Sequence, residues 1–148
     1  MRRDELSWLD ISGLVSSAET QLVAKLEALR KELNRDLQLG LWELEAHHAI
    51  YPPGGFYRRH LDRFRDDDAR VVSIVLYLNE GWVSEDGGEL AIYRAPGDEK
   101  PALIVEPRGG SLVCFLSDRI EHEVLESHRR ERFSVAGWFR RREIEVLP

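Results

Sequence analysis

One cysteine, Cys114, stands in 148 residues, so no disulfide can form within the chain and a reducing, cytoplasmic setting is expected. No apolar run approaches the roughly eighteen residues of a membrane span, and Met1-Arg2-Arg3-Asp4-Glu5 leads into no signal-peptide core. A surplus of basic charge is missing too. The net charge is -6 and the pI about 5.4, which argues against a broad phosphate-binding surface and leaves only local basic clusters, RRHLDRFR and FRRR. Internal repeats, low-complexity tracts and linkers are absent, so residues 1–148 read as one domain. What is present is the make-up of a soluble globular protein, 43% hydrophobic and 32% charged.

Hydrophobic periodicity changes once along the chain. From Ser16 to about Gln38, Leu22, Leu26, Leu29 and Leu33 recur at helical spacing behind a capping box, Ser16-Ser17-Ala18-Glu19, with Gly40 as the stop. Beyond Gly40 the period is two. In LWELEAHHAIY, Trp42, Leu44, Ala46, His48 and Ile50 share one face, and Glu43, Glu45 and His47 the other. YPPGG breaks the chain, FYRRHLD resumes it, and RVVSIVLYLN has the continuous β-branched character of a buried central strand. Short strands follow at ELAIY, ALIVE, SLVCFL and RFSVAGWF. One helix and many short strands, over about 41–142, predict a mainly β sandwich or barrel braced by a helix.

His60 and Asp62, at i and i+2 in an extended segment, project from one strand face and can reach one metal ion. The pair alone is weak: with five His in the chain, chance supplies roughly 0.3 such His-x-Asp spacings. His122, at the mouth of the strand after SLVCFL, is the best third ligand. Two imidazoles and a carboxylate on one face of an octahedral ion leave three positions open, the facial triad of non-haem Fe(II) oxygenases. Ten residues after His122, strand parity puts Arg132, Ser134, Ala136 and Trp138 on an inner face, and Phe133, Val135, Gly137 and Phe139 on an apolar packing face. An inward arginine needs an anion. That anion is either a structural Asp or Glu or a dicarboxylate co-substrate gripped through two parallel hydrogen bonds; the neighbouring ligands favour the co-substrate. His48 reads as a satisfied core histidine and His128 as an exposed loop residue.

YPPGGFYRRHLD, RVVSIVLYLNEGW, DGGEL, PRGGSLVCFLSDRIEHEV and RRERFSVAGWF together resemble the iron(II)/2-oxoglutarate-dependent dioxygenases, most closely the prolyl 4-hydroxylase branch with its bacterial and hypoxia-sensing members. The resemblance runs from about RRDELSWLD to Phe139 and implies a double-stranded β-helix, the cupin-like jelly roll. It implies His60, Asp62 and His122 as iron ligands. It makes Arg132 and Tyr77 the partners of the far carboxylate of 2-oxoglutarate, with Ser134 and Tyr51 beside them. Tyr57, Arg70 and Trp138 become substrate contacts. The implied activity consumes 2-oxoglutarate and O2, with ascorbate as a possible reductant, releases succinate and CO2, and hydroxylates a C–H bond, C4 of a prolyl residue in a protein.

Three other readings stand beside it: an oxygenase of free amino acids or other small molecules, a demethylase of alkylated nucleic acid, and a jelly-roll regulator without catalysis. The demethylases carry a second arginine six residues after the co-substrate arginine; this chain has Trp138 there. RRDELSWLD matches a segment that follows a further N-terminal region in related chains, which leaves open a short member or a trimmed longer one. DISGLVSSAE and FRDDDAR are the candidate lids.

Overall fold

Alternation of apolar and polar residues lets a strand bury one face against a helix and turn the other towards a second sheet, and this chain does so across three adjacent strands. The structure is a computed structural model and describes residues 2–13, 16–63 and 69–143; residues 14–15 and 64–68, within the two candidate lids, lie outside the described residues. Its elements are β1 (Glu5–Trp8), α1 (Ser17–Leu37), β2 (Leu41–Tyr51), β3 (Tyr57–His60), β4 (Arg70–Tyr77), a 3-10 turn (Ser84–Asp86), β5 (Leu90–Tyr93), β6 (Leu103–Val105), β7 (Leu112–Leu116), β8 (Glu121–Val124) and β9 (Arg132–Arg141). They form a five-stranded sheet ordered β1-β2-β9-β4-β7 and a four-stranded sheet ordered β3-β8-β5-β6. The two antiparallel sheets make a jelly roll.

Helix α1 begins where the capping box predicts. The Ser16 hydroxyl accepts from the Glu19 N–H at 3.4 Å, satisfying one of the helix's free amide groups. The stop differs from expectation. The helix is capped at Gln38 in the left-handed conformation (φ 52°), two residues before Gly40, which also has a positive φ (67°), and the Asn34 side chain clamps both the N–H and the C=O of Leu41 at 2.7 Å. That clamp turns the chain straight into β2.

Strand β9 sits in the middle of the larger sheet, and its register with β2 and β4 sorts every side chain. One face stacks Leu44, Phe139 and Val72 in a row, then Ala46, Gly137 and Ile74, then His48, Val135 and Leu76. Most of this face packs against Val23 and Leu26 of α1 to form the main core. The opposite face rows up Tyr51 with Arg132, Ala49 with Ser134 and Tyr77, His47 with Ala136 and Val75, and Glu45 with Trp138 and Ser73. A second core between the sheets contains Ala49, Tyr51, Leu90 and Val124.

Two sequence expectations need correction here. Trp42 is 58% exposed, because a register shift between Leu41 and Glu43 puts Leu41 into the core in its place. Strand β1, four residues long and too short for its period to register, joins the larger sheet beside β2, so the β core starts well before residue 41. His122 is the second residue of β8, the strand that follows SLVCFL, as expected. Phe139, fully buried under α1, anchors the main core. Phe139→Ala should therefore cost about 3–5 kcal/mol, read as a lower urea midpoint at unchanged slope.

Candidate active site

The last residue of β3 and the second residue of β8 are cross-strand partners, and both are histidine: His60 pairs with His122. Directly opposed positions bring side chains together, and the two rings stand 4.3 Å apart between centroids. Asp62 lies just past the end of β3 rather than in an extended segment, yet its Oδ1 is 3.3 Å from Nε2 of each histidine. The three ligand atoms fall within 4.8 Å of one another, the one such group of metal-binding side chains among the described residues.

Backbone carbonyls prepare both rings. His60 Nδ1 lies 2.7 Å from the Arg58 carbonyl and His122 Nδ1 3.2 Å from that of Ile120. A carbonyl only accepts, so each Nδ1 carries a proton, and Nε2 is the atom of each ring left to face a metal at the common point. Burial would push the Asp62 carboxyl up. The hydrogen-bonding contacts with His122 and His60, and the one from the Ser73 hydroxyl, outweigh it and hold Asp62 well below the ordinary carboxylate range, so it remains an anion. A divalent cation suits a set of two imidazoles and one carboxylate.

Deeper between the sheets lies a charge with no counter-charge among the described residues. Arg132 is 1% exposed; its Nε donates to the Gly88 carbonyl at 2.6 Å, and its Nη2 has no hydrogen-bond partner. Tyr77 is fully buried and its hydroxyl is also without one. Burial raises the Tyr77 pKa against the opposing pull of the Arg132 guanidinium, so the phenol keeps its proton and is a donor. The guanidinium sits 5.1 Å from the ring centres of both Tyr51 and Tyr77. No Asp or Glu pairs with Arg132 among the described residues, so the structural ion pair left open by the sequence is not formed there. Orphaned donors of this kind cost on the order of 1–3 kcal/mol each and fit a carboxylate ligand. Gly88, with φ 71°, is required here: a Cβ would come within 2.9 Å of Arg132 Cδ. That accounts for the second glycine of DGGEL.

Arg132, Ser134, Tyr51, His60, Asp62 and His122 all line one cavity. At its mouth the Tyr57 ring lies 3.6 Å from that of His60, with the Arg2 guanidinium 4.8 Å over Tyr57. Trp138 carries Arg70 on its face at 3.6 Å. Arg70 is committed to its own protein: it donates to Glu45 Oε1 at 2.8 Å and to the Asp62 carbonyl at 3.2 Å. The sequence reading missed His47 and Trp8, whose rings stand 4.9 Å apart at the same mouth. It also took His48 for the core histidine. His48 is half-exposed and pairs with Glu19 at 3.2 Å, whereas His47 is 2% exposed. The signal was available, since His47 has the parity of Tyr51. His128 is exposed, as expected.

Residues 46–140 match the model of the 2OG-Fe(II) oxygenase superfamily. A hypoxia-inducible factor prolyl hydroxylase of Caenorhabditis elegans is 31% identical over 149 residues, covering 94% of this chain and 20% of that protein. A prolyl 3-hydroxylase of Xenopus laevis is 36% identical over 87 residues, 55% of this chain and 17% of that one. The chain thus spans about a fifth of the length of these curated relatives. A crystal structure of a Pseudomonas putida prolyl-4-hydroxylase superposes with a TM-score of 0.86 at 53% identity, covering 96% of this chain and 74% of that one. A Trichoplax adhaerens prolyl hydroxylase, in complex with a peptide of the hypoxia-inducible factor oxygen degradation domain, gives 0.82 at 28% identity, covering 95% and 64%. The chain belongs to the 2OG-Fe(II) oxygenase superfamily, on its prolyl hydroxylase branch.

Burial, with the Arg2 and Arg70 charges, lowers the pKa of His47 despite the His48 carbonyl and Asp4. A histidine held neutral in the fold supports stability fully above its unfolded pKa of about 6.5 and loses that support as pH falls through it. Melting temperatures from pH 7.5 to 5 should fall less steeply in His47→Gln than in the wild type.

Proposed function

We propose that the chain is an Fe(II)- and 2-oxoglutarate-dependent dioxygenase that hydroxylates C4 of a prolyl residue in a polypeptide, with release of succinate and CO2. The observation that carries this reading is one cavity holding both the His60, Asp62 and His122 cluster and an arginine with a buried, unsatisfied donor. His60, Asp62 and His122 would hold the metal ion, and three protein ligands would leave it room to bind the co-substrate. Arg132 grips the far carboxylate of the co-substrate, and the Tyr77 hydroxyl donates to the same carboxylate. Ser134 and Tyr51 wall the co-substrate in. Iron bound there would supply, with 2-oxoglutarate and O2, the oxidising power for C–H hydroxylation. Tyr57 and Trp138 orient the target ring and keep water from it, and Arg70 lines the mouth behind Trp138.

The P. putida and T. adhaerens relatives, and the peptide bound to the latter, support a polypeptide substrate. The acidic charge balance and Trp138 speak against nucleic acid. We read the two sheets and helix as one catalytic domain working in the cytoplasm, with ascorbate as reductant. The lone cysteine supports that setting. No helix among the described residues is long and apolar enough to cross a membrane.

His60→Ala and His122→Ala should each reduce succinate formation to background while the circular dichroism spectrum stays that of the wild type; unchanged succinate in both refutes the assignment. Arg132→Ala should raise KM for 2-oxoglutarate by about 100-fold, the loss of a buried charged pair. Mass spectrometry of proline-containing peptides incubated with iron, 2-oxoglutarate and O2 should show one added oxygen on proline. Turnover of free amino acids, and of no peptide, would favour the small-molecule reading instead.

A further inference from the structure

The carboxylate of Asp62 is held from behind by two buried hydroxyls that no reading of the sequence singled out. Ser73 lies on β4, on the inner face of the larger sheet, and Ser117 directly follows β7; both are buried. Ser73 Oγ donates to Asp62 Oδ2 at 2.6 Å and lies 2.9 Å from Ser117 Oγ. A hydroxyl has one proton to give. Ser73 gives its proton to the carboxylate, so it must accept from Ser117, and the chain runs one way, from Ser117 through Ser73 to Asp62 Oδ2. Ser117 is itself fixed by its backbone, its N–H donating to the Val71 carbonyl at 3.0 Å and its carbonyl accepting from the Arg63 N–H at 3.2 Å.

The consequence concerns the other oxygen. Oδ2 is fastened to Ser73, while Oδ1 stands 3.3 Å from both histidine Nε2 atoms. We infer that Ser73, backed by Ser117, is a positioning residue that restricts Asp62 to one-oxygen ligation. The inference rests on the function proposed above, and its reasoning is one of coordination number. Three protein atoms, a co-substrate that chelates through two, and dioxygen fill six positions. An aspartate free to turn both oxygens towards the metal would take a position that the co-substrate needs. Hydrogen bonds to ligands from behind commonly change affinity or activity by about 10–100-fold.

The test uses the purified chain without oxygen. Binding of Mn(II), followed by electron paramagnetic resonance, establishes the metal site in wild type and in His60→Ala. The visible charge-transfer absorption of Fe(II) with 2-oxoglutarate then reports chelation by the co-substrate. In Ser73→Ala the 2-oxoglutarate affinity read from that band should fall at least about 10-fold. Ser73→Thr, which keeps the hydroxyl, should restore it, and Ser117→Ala should lie between the two. Wild-type affinity in Ser73→Ala, with or without a lower melting temperature, overturns this inference alone. Should Ser73→Ala fail to fold, wild-type affinity in a folded Ser117→Ala overturns it equally. Mn(II) binding that is absent in the wild type, or undiminished in His60→Ala, overturns the site assignment and this inference with it.

Discussion

The register of β9 between β2 and β4 is the constraint on which the rest of the structure depends. Antiparallel pairing on both sides of β9 lines up Tyr51 with Arg132, Ser134 with Tyr77, and Trp138 with Ser73. A slip of one residue would turn all of them onto the helix and bring Val135 and Phe139 into the cavity. Two forces oppose that slip. Phe139 and Val135 form, with Val23 and Leu26, the core that α1 caps. On the other side a guanidinium placed against the apolar helix would lose even its single bond to Gly88.

The smaller sheet contributes something different. It offers two strand positions opposite each other, filled by His60 and His122, and a short continuation that returns Asp62 to them. Carbonyls of Arg58 and Ile120, each two residues before its histidine, select the tautomer. The aspartate is then secured from the larger sheet through Ser73 and through the Arg70 bond to its carbonyl. One sheet thus presents the ligands, and the other sets their orientation and buries Arg132. Neither sheet alone makes the site.

Legibility in the sequence followed the range of the physics involved. The helix and most strands announce themselves through local periodicity, because capping and one-sided burial act over a few residues. The inward placement of Arg132 and Tyr77 follows from parity, a local property once the strand is recognised. His47 was legible by the same rule from Tyr51 and was overlooked for His48. Strand β1 was too short to read, and the shift at Leu41 that expels Trp42 leaves no mark in the pattern.

What the amino-acid sequence determined by itself is the set of chemical groups and the faces they occupy: two histidines and an aspartate, an arginine and a tyrosine pointing inward, and the family motifs that join them. The tertiary structure alone decided which of these groups meet and how they are held. The two serines behind Asp62, the glycine that admits Arg132, and the diversion of Arg70 to Glu45 each join residues distant in the chain. Strand parity says which way a side chain points. It cannot say what stands opposite, because that is settled only when the two sheets close on each other.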